Sequence, residues 1–146
     1  MVQRKKKVHT LKGLVISLTN RYIGFLSRFN PGKTHDYTLL KEELSPDKQW
    51  FKKFTVRLDL GYLGFGKEYV CKKYFMPIKK PRGQELTEEQ RSVNQKQASK
   101  RVVVEHAIGG LKRYRILSDR LRMHDLNLYD DILGVCAGLW NYCIST

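Results

Sequence analysis

Residues 7–19 place Val8, Leu11, Leu14, Val15, Ile16 and Leu18 in a stretch rich in β-branched types and poor in helix caps, which predicts a strand. Thr19, Asn20 and Arg21 then read as a tight turn, and residues 22–29 as a second strand completing a hairpin. Asn30, Pro31 and Gly32 are expected to end it, because proline and glycine break a ladder. Tyr37, Leu40 and Leu44 recur at helical spacing, with Thr34 or Asp36 as the expected N-cap and Ser45-Pro46-Asp47 as the stop. Residues 54–58 form a short β-prone run that leads into glycines 61, 64 and 66, and residues 70–78 predict one more strand. Thr87 followed by Glu88, Glu89 and Gln90 has the form of a capping box and opens a long helix over residues 87–117. Residues 126–144 predict a last helix, with Leu126, Tyr129, Leu133, Cys136, Leu139, Trp140 and Cys143 on its inner side. The order β-β-α-β-β-α-α suits an α/β fold, a sheet with helices packed on it. A chain of 146 residues makes this one domain spanning 1–146.

Charge changes the picture. Twenty-eight Lys and Arg stand against 14 Asp and Glu, a net +14 that makes nucleic acid the default partner. No apolar run approaches membrane-spanning length and no separate basic amphipathic helix is present, which argues against a membrane. Cys71, Cys136 and Cys143 make no metal-binding pattern, and an odd count fits a reducing cytoplasm. The Met1–Lys7 start could serve as a nuclear-localisation patch or as a basic strand end facing DNA.

The candidate chemistry lies on two acids. On the long helix Arg101, Glu105 and Lys112 fall on one face, a carboxylate flanked by two cations, although a solvated helix carries such pairs too. Asp59 lies where a strand ends, the place at which open α/β sheets form ligand crevices, and equally where a turn before Gly61 needs a residue of its type. If the two carboxylates converge they repel unless a divalent cation sits between them, and oxygen-only ligation suits Mg²⁺ or Mn²⁺. Asp36 reads mainly as a helix cap over a metal ligand, and His9 and His35 mainly as packed histidines over contacts to DNA or the site.

Four blocks occur in a familiar order: Lys5-Lys6-Lys7-Val8-His9-Thr10-Leu11-Lys12, then Pro31-Gly32-Lys33-Thr34-His35-Asp36, then Asp59-Leu60-Gly61-Tyr62-Leu63-Gly64, and finally Arg101, Glu105 and Lys112. With them the chain resembles the C-terminal part of a DDE transposase of bacterial insertion-sequence family five, related to PIF/Harbinger elements. The set covers nearly the whole chain. One departure is Ala98, where the family pattern has Tyr.

The resemblance implies an RNase H-like mixed sheet in which three acids hold two Mg²⁺ (or Mn²⁺) ions, roughly 3.5–4 Å apart, for DNA strand cleavage and joining at transposon ends. Asp59 would be the second acid and Glu105 the third, both catalytic and metal-binding. Arg101 and Lys112 would face the DNA backbone, and Lys79, Lys80 and Arg82 would extend that track, although as residues they read equally well as a solvated loop. In the family the first Asp lies on a strand preceding the Lys5-Lys6-Lys7 block. Residues 1–146 lack it, so the sheet is expected to be incomplete at its middle and the isolated chain to be inactive. A second chain would then supply the strand; the alternative assembly is a homo-oligomer. The other readings are a non-catalytic basic DNA-binding fragment and an interaction partner of full-length transposase, in either case in the bacterial cytoplasm.

Overall fold

The computed structural model describes residues 11–119 and 125–146. The lysine block at 5–7 and His9 lie outside them. The first predicted strand is two short ones, β1 (Leu11–Lys12) and β2 (Val15–Ser17). Between them Leu14 turns its N–H to Ser27 Oγ at 2.8 Å, while its carbonyl accepts from the Ser27 N–H at 2.9 Å. β3 (Ile23–Leu26) returns antiparallel, with Val15 opposite Leu26. Arg21 closes the turn in the left-handed region, φ 69°. The hairpin does not stop at Asn30 as expected: β4 (Asn30–Pro31) pairs with β1, and proline is tolerated at a ladder's margin, where its missing N–H costs least.

α1 (Asp36–Glu43) follows. Its N-cap is His35, with no side-chain cap, so neither Thr34 nor Asp36 plays the expected role, and His35 is exposed, not packed. β5 (Thr55–Arg57) and β6 (Lys73–Phe75) run parallel, with Thr55 opposite Lys73. A parallel pair needs a crossover of a dozen or more residues. Here a 3-10 turn (Leu60–Tyr62) and the short α2 (Phe65–Glu68) provide it. α3 (Glu88–Lys112) starts with the full capping box of Thr87 and Gln90. It stops short of residue 117, and α4 (Arg115–Ser118) is a separate turn before α5 (Leu126–Ser145).

The result is mixed α/β, with three two-stranded sheets, β1–β4, β2–β3 and β5–β6. Two cores hold them. In the first, α1 and α2 bury Leu39, Leu40, Phe65 and Tyr69 against half-buried Ile16, Val56 and Leu58, so β2 and β5 share one apolar support without sharing a ladder. Phe65 and Tyr69 stack at 4.7 Å, and Tyr69 OH donates to the Leu44 carbonyl at 2.6 Å, satisfying an end of α1. In the second, Ile23 packs on Ala107 and Leu111 of α3 and on Leu133, Cys136 and Ala137 of α5.

Two asparagines act as surrogate strand edges. Asn141 of α5 accepts from Ile23 N–H at 2.8 Å and donates to Ile23 O at 2.9 Å. Asn94 of α3 does the same to Ile78, at 2.7 and 3.1 Å. α3 therefore grips the β5–β6 unit with its first half and the β2–β3 hairpin with its second. The expected inner face of α5 is narrower than its sequence pattern: Tyr129, Leu133 and Cys136 are buried, but Leu126, Leu139 and Cys143 are exposed, because the hairpin covers only part of the helix. Burial pushes the Cys136 thiol's pKa up. Among the described residues no helix is long and apolar enough to cross a membrane.

Candidate functional site

β5 ends at Arg57, and two residues later Asp59 begins the 3-10 turn, its Oδ1 accepting from the Leu60 N–H at 2.7 Å. The same oxygen accepts from Arg101 Nη1 of α3 at 2.8 Å. Asp59 is thus both a turn residue and a partner of the long helix. Its side chain is 61% exposed and that of Arg101 30%. Exposed pairs of this kind contribute about 0–1 kcal/mol, so an incoming cation or phosphate can separate them.

Behind the turn stands Asp36. Its carboxylate pairs with Lys12 Nζ at 2.9 Å, and Lys12 also donates to Thr34 O at 3.1 Å. A Cβ on Gly61 would stand 2.8 Å from Asp36 Oδ2, so a side chain there would make the Asp36 carboxylate shift. Tyr62 lies between the two acids. Burial, then the charges of Asp36 and Asp59, push its pKa up to about 12, so its phenol stays protonated at neutral pH.

Strand and helix meet in register. Arg57 donates to Gln97 Oε1 at 3.5 Å, and Asp59 takes Arg101. Two strand residues advance ~6.6 Å and four helix residues ~6 Å, so the rungs keep step. Glu105, one turn beyond Arg101, projects from the same face about 6 Å further on. It is exposed and in no ion pair among the described residues. Asp59 therefore touches Arg101, and Glu105 follows next along the helix. Among the described residues no three His, Cys, Asp or Glu side chains gather closely enough to hold an ion.

The expected cations are dispersed. Lys112 is exposed at the end of α3, and Lys79, Lys80 and Arg82 are exposed on the loop after β6. Lys80 pairs with Glu85, which Arg91 also reaches at 3.4 Å. Gly109 has nothing near its Cβ position, whereas a Cβ on Gly110 would overlap the Trp140 ring of α5. Sequence alone does not point to Arg57, Lys73 and Phe75. The guanidinium carbon of Arg57 lies 4.6 Å, and Lys73 Nζ 4.9 Å, from the Phe75 ring centre. The period-2 spacing of Arg57 and Asp59 was the available signal.

An acid just past the end of a β-strand is thus met by a cation of the long helix α3. A family model described as DDE superfamily endonuclease matches residues 1–141, and the chain belongs to that family. It is also 36% identical over 137 residues to "Probable transposase for insertion sequence element IS702" of Microchaete diplosiphon, covering 92% of this chain and 46% of that protein. The chain thus spans about half the length of the curated relative it matches. No solved structure matches.

Proposed function

We propose that this domain is a transposase-type nuclease of insertion-sequence family five, related to PIF/Harbinger elements, acting on transposon-end DNA in the bacterial cytoplasm. The observation that carries the reading is the Asp59–Arg101 contact, which ties the strand-end acid to the helix face on which Glu105 comes next. Asp59 and Glu105 offer exposed carboxylate oxygens of the kind Mg²⁺ or Mn²⁺ takes, and Arg101 occupies the place of a positive charge beside Asp59. They are two donors of a larger set. In a two-metal reaction the ions would activate the attacking oxygen and steady the leaving one. The residues' part is to hold the ions, and Arg101, released from Asp59, then faces the DNA phosphates together with Lys112.

β2 and β5 each contribute to one core, Ile16 from the first and Val56 from the second, with no ladder between them, which supports an RNase H-like sheet whose middle strand enters from another segment or a second chain. That strand would carry a third acid.

The test is Mn²⁺ binding and DNA nicking by the chain co-expressed with a polypeptide supplying the strand. Asp59→Ala and Glu105→Gln should each lower nicking by about two orders of magnitude or more, since even supporting groups around a metal are worth 10–100-fold. Mn²⁺ affinity unchanged by Glu105→Gln would refute the metal role and leave a protein that only coats DNA.

A further inference from the structure

We propose that Arg57, Lys73 and Phe75 form a contact for the DNA sugar–phosphate backbone, with Arg57 at the end of β5, two residues before Asp59. The inference takes its partner from the nuclease reading, but its residues stand on their own geometry.

Each cation named so far has its charge committed or lies away from the acid: Arg101 is matched by Asp59, Lys12 by Asp36 and Lys80 by Glu85. Arg57 and Lys73 differ. Among the described residues no carboxylate lies within ion-pair distance of either. Both are instead held by the Phe75 ring, at 4.6 and 4.9 Å. An aromatic quadrupole attracts a cation by about 0.5–1 kcal/mol at an exposed site, yet carries no net charge to cancel it. Gln97 fixes the guanidinium from the helix side in the same neutral way. The two side chains are therefore oriented while keeping their full charge, the condition for gaining most from a phosphate.

Position fits as well. Val56 faces the first core, with α1 and α2, whereas Arg57 turns to α3, as does Asp59. Arg57 precedes Asp59 by two strand residues, roughly 6.6 Å, comparable to the separation of successive phosphates on one DNA strand. A backbone seated on Arg57 and Lys73 brings its next phosphodiester beside Asp59. With the ring engaged by the cations, Phe75 serves as their support and not as a platform for bases.

The test measures binding of the full 146-residue chain to a random-sequence duplex by fluorescence anisotropy across 50–200 mM NaCl. Each phosphate contact contributes about 0.9 to the slope of log K against log salt. Arg57→Gln with Lys73→Gln should lower that slope by about 1.8, and Lys73→Gln alone, at an exposed position, by about 0.9. Arg57→Lys should retain it. A charge-matched control, Lys41→Gln with Lys67→Gln on the α1 and α2 side, should leave it unchanged. A slope unaffected by the Arg57 and Lys73 substitutions, or lowered equally by the control, overturns the proposal. If the slope falls while the chain co-expressed with the strand-supplying polypeptide shows no metal-dependent nicking, the contact stands and the nuclease reading fails. If the unsubstituted chain shows no salt-dependent binding, both fail.

Discussion

Gly109 and Gly110 are sequence neighbours on α3, yet their surroundings give opposite expectations. Glycine in a helix interior costs about 1 kcal/mol relative to alanine. At Gly109 nothing opposes a methyl group, so Gly109→Ala should stabilise the chain by about that amount. At Gly110 the methyl would meet the Trp140 ring, whose Nε1 donates to Arg21 O at 3.0 Å and cannot swing away without losing that bond. Overpacking of this kind costs typically 1–3 kcal/mol, enough to outweigh the helix gain, so Gly110→Ala should destabilise. Urea unfolding midpoints of the two variants should move in opposite directions. A shared direction would show that α3 and α5 do not pack as described.

Among the elements, α3 was the most legible, because its start depends on neighbours in sequence. Thr87 Oγ1 accepts from the Gln90 N–H at 3.2 Å and the Gln90 side chain accepts from the Thr87 N–H at 3.1 Å, as the residue pattern implies. Thr87→Ala should cost about 1 kcal/mol, read from the loss of helical ellipticity on urea titration, with Thr87→Asn restoring most of it. An unchanged midpoint would mean that the tertiary grip of Asn94 on Ile78 alone fixes this end. Features set by distant residues were not legible. The Asp36 carboxylate pairs with Lys12, far back in the chain, and α1 starts after His35 with no side-chain cap, neither of which a local pattern encodes. The narrow buried face of α5 follows from how little of it the hairpin covers. Asp59 could be singled out because strand-end acids have a recognisable setting, but its contact with Arg101 spans 42 positions and no local pattern encodes it. The pairing of Arg57 with Lys73 is hidden for the same reason, since their common ring joins two strands that pair only in the folded chain.

For the whole molecule the governing quantity is the net +14 carried on small sheets. Two-stranded sheets are marginal alone, and here α3 joins two of them through Asn94, Arg101, Ala107 and Leu111, with no ladder between β2 and β5. Like charges spread over such a body repel in the compact state. Opposing this are the exposed ion pairs, each worth about 0–1 kcal/mol. Salt screens both, but the repulsion is long-ranged and the pairs are in contact: the Debye length falls from about 30 Å at 0.01 M to about 8 Å at 0.15 M, which removes cross-molecule repulsion before it removes a contact near 3 Å. Raising NaCl from 10 to 150 mM should therefore raise the urea midpoint of the free chain while it weakens DNA binding. Those two responses have opposite signs because the same surplus charge opposes folding and favours the polyanion. A midpoint that falls with salt would place the net stabilisation in ion pairs, Asp59–Arg101 foremost, and would make separating that pair a costly step and not an easy one.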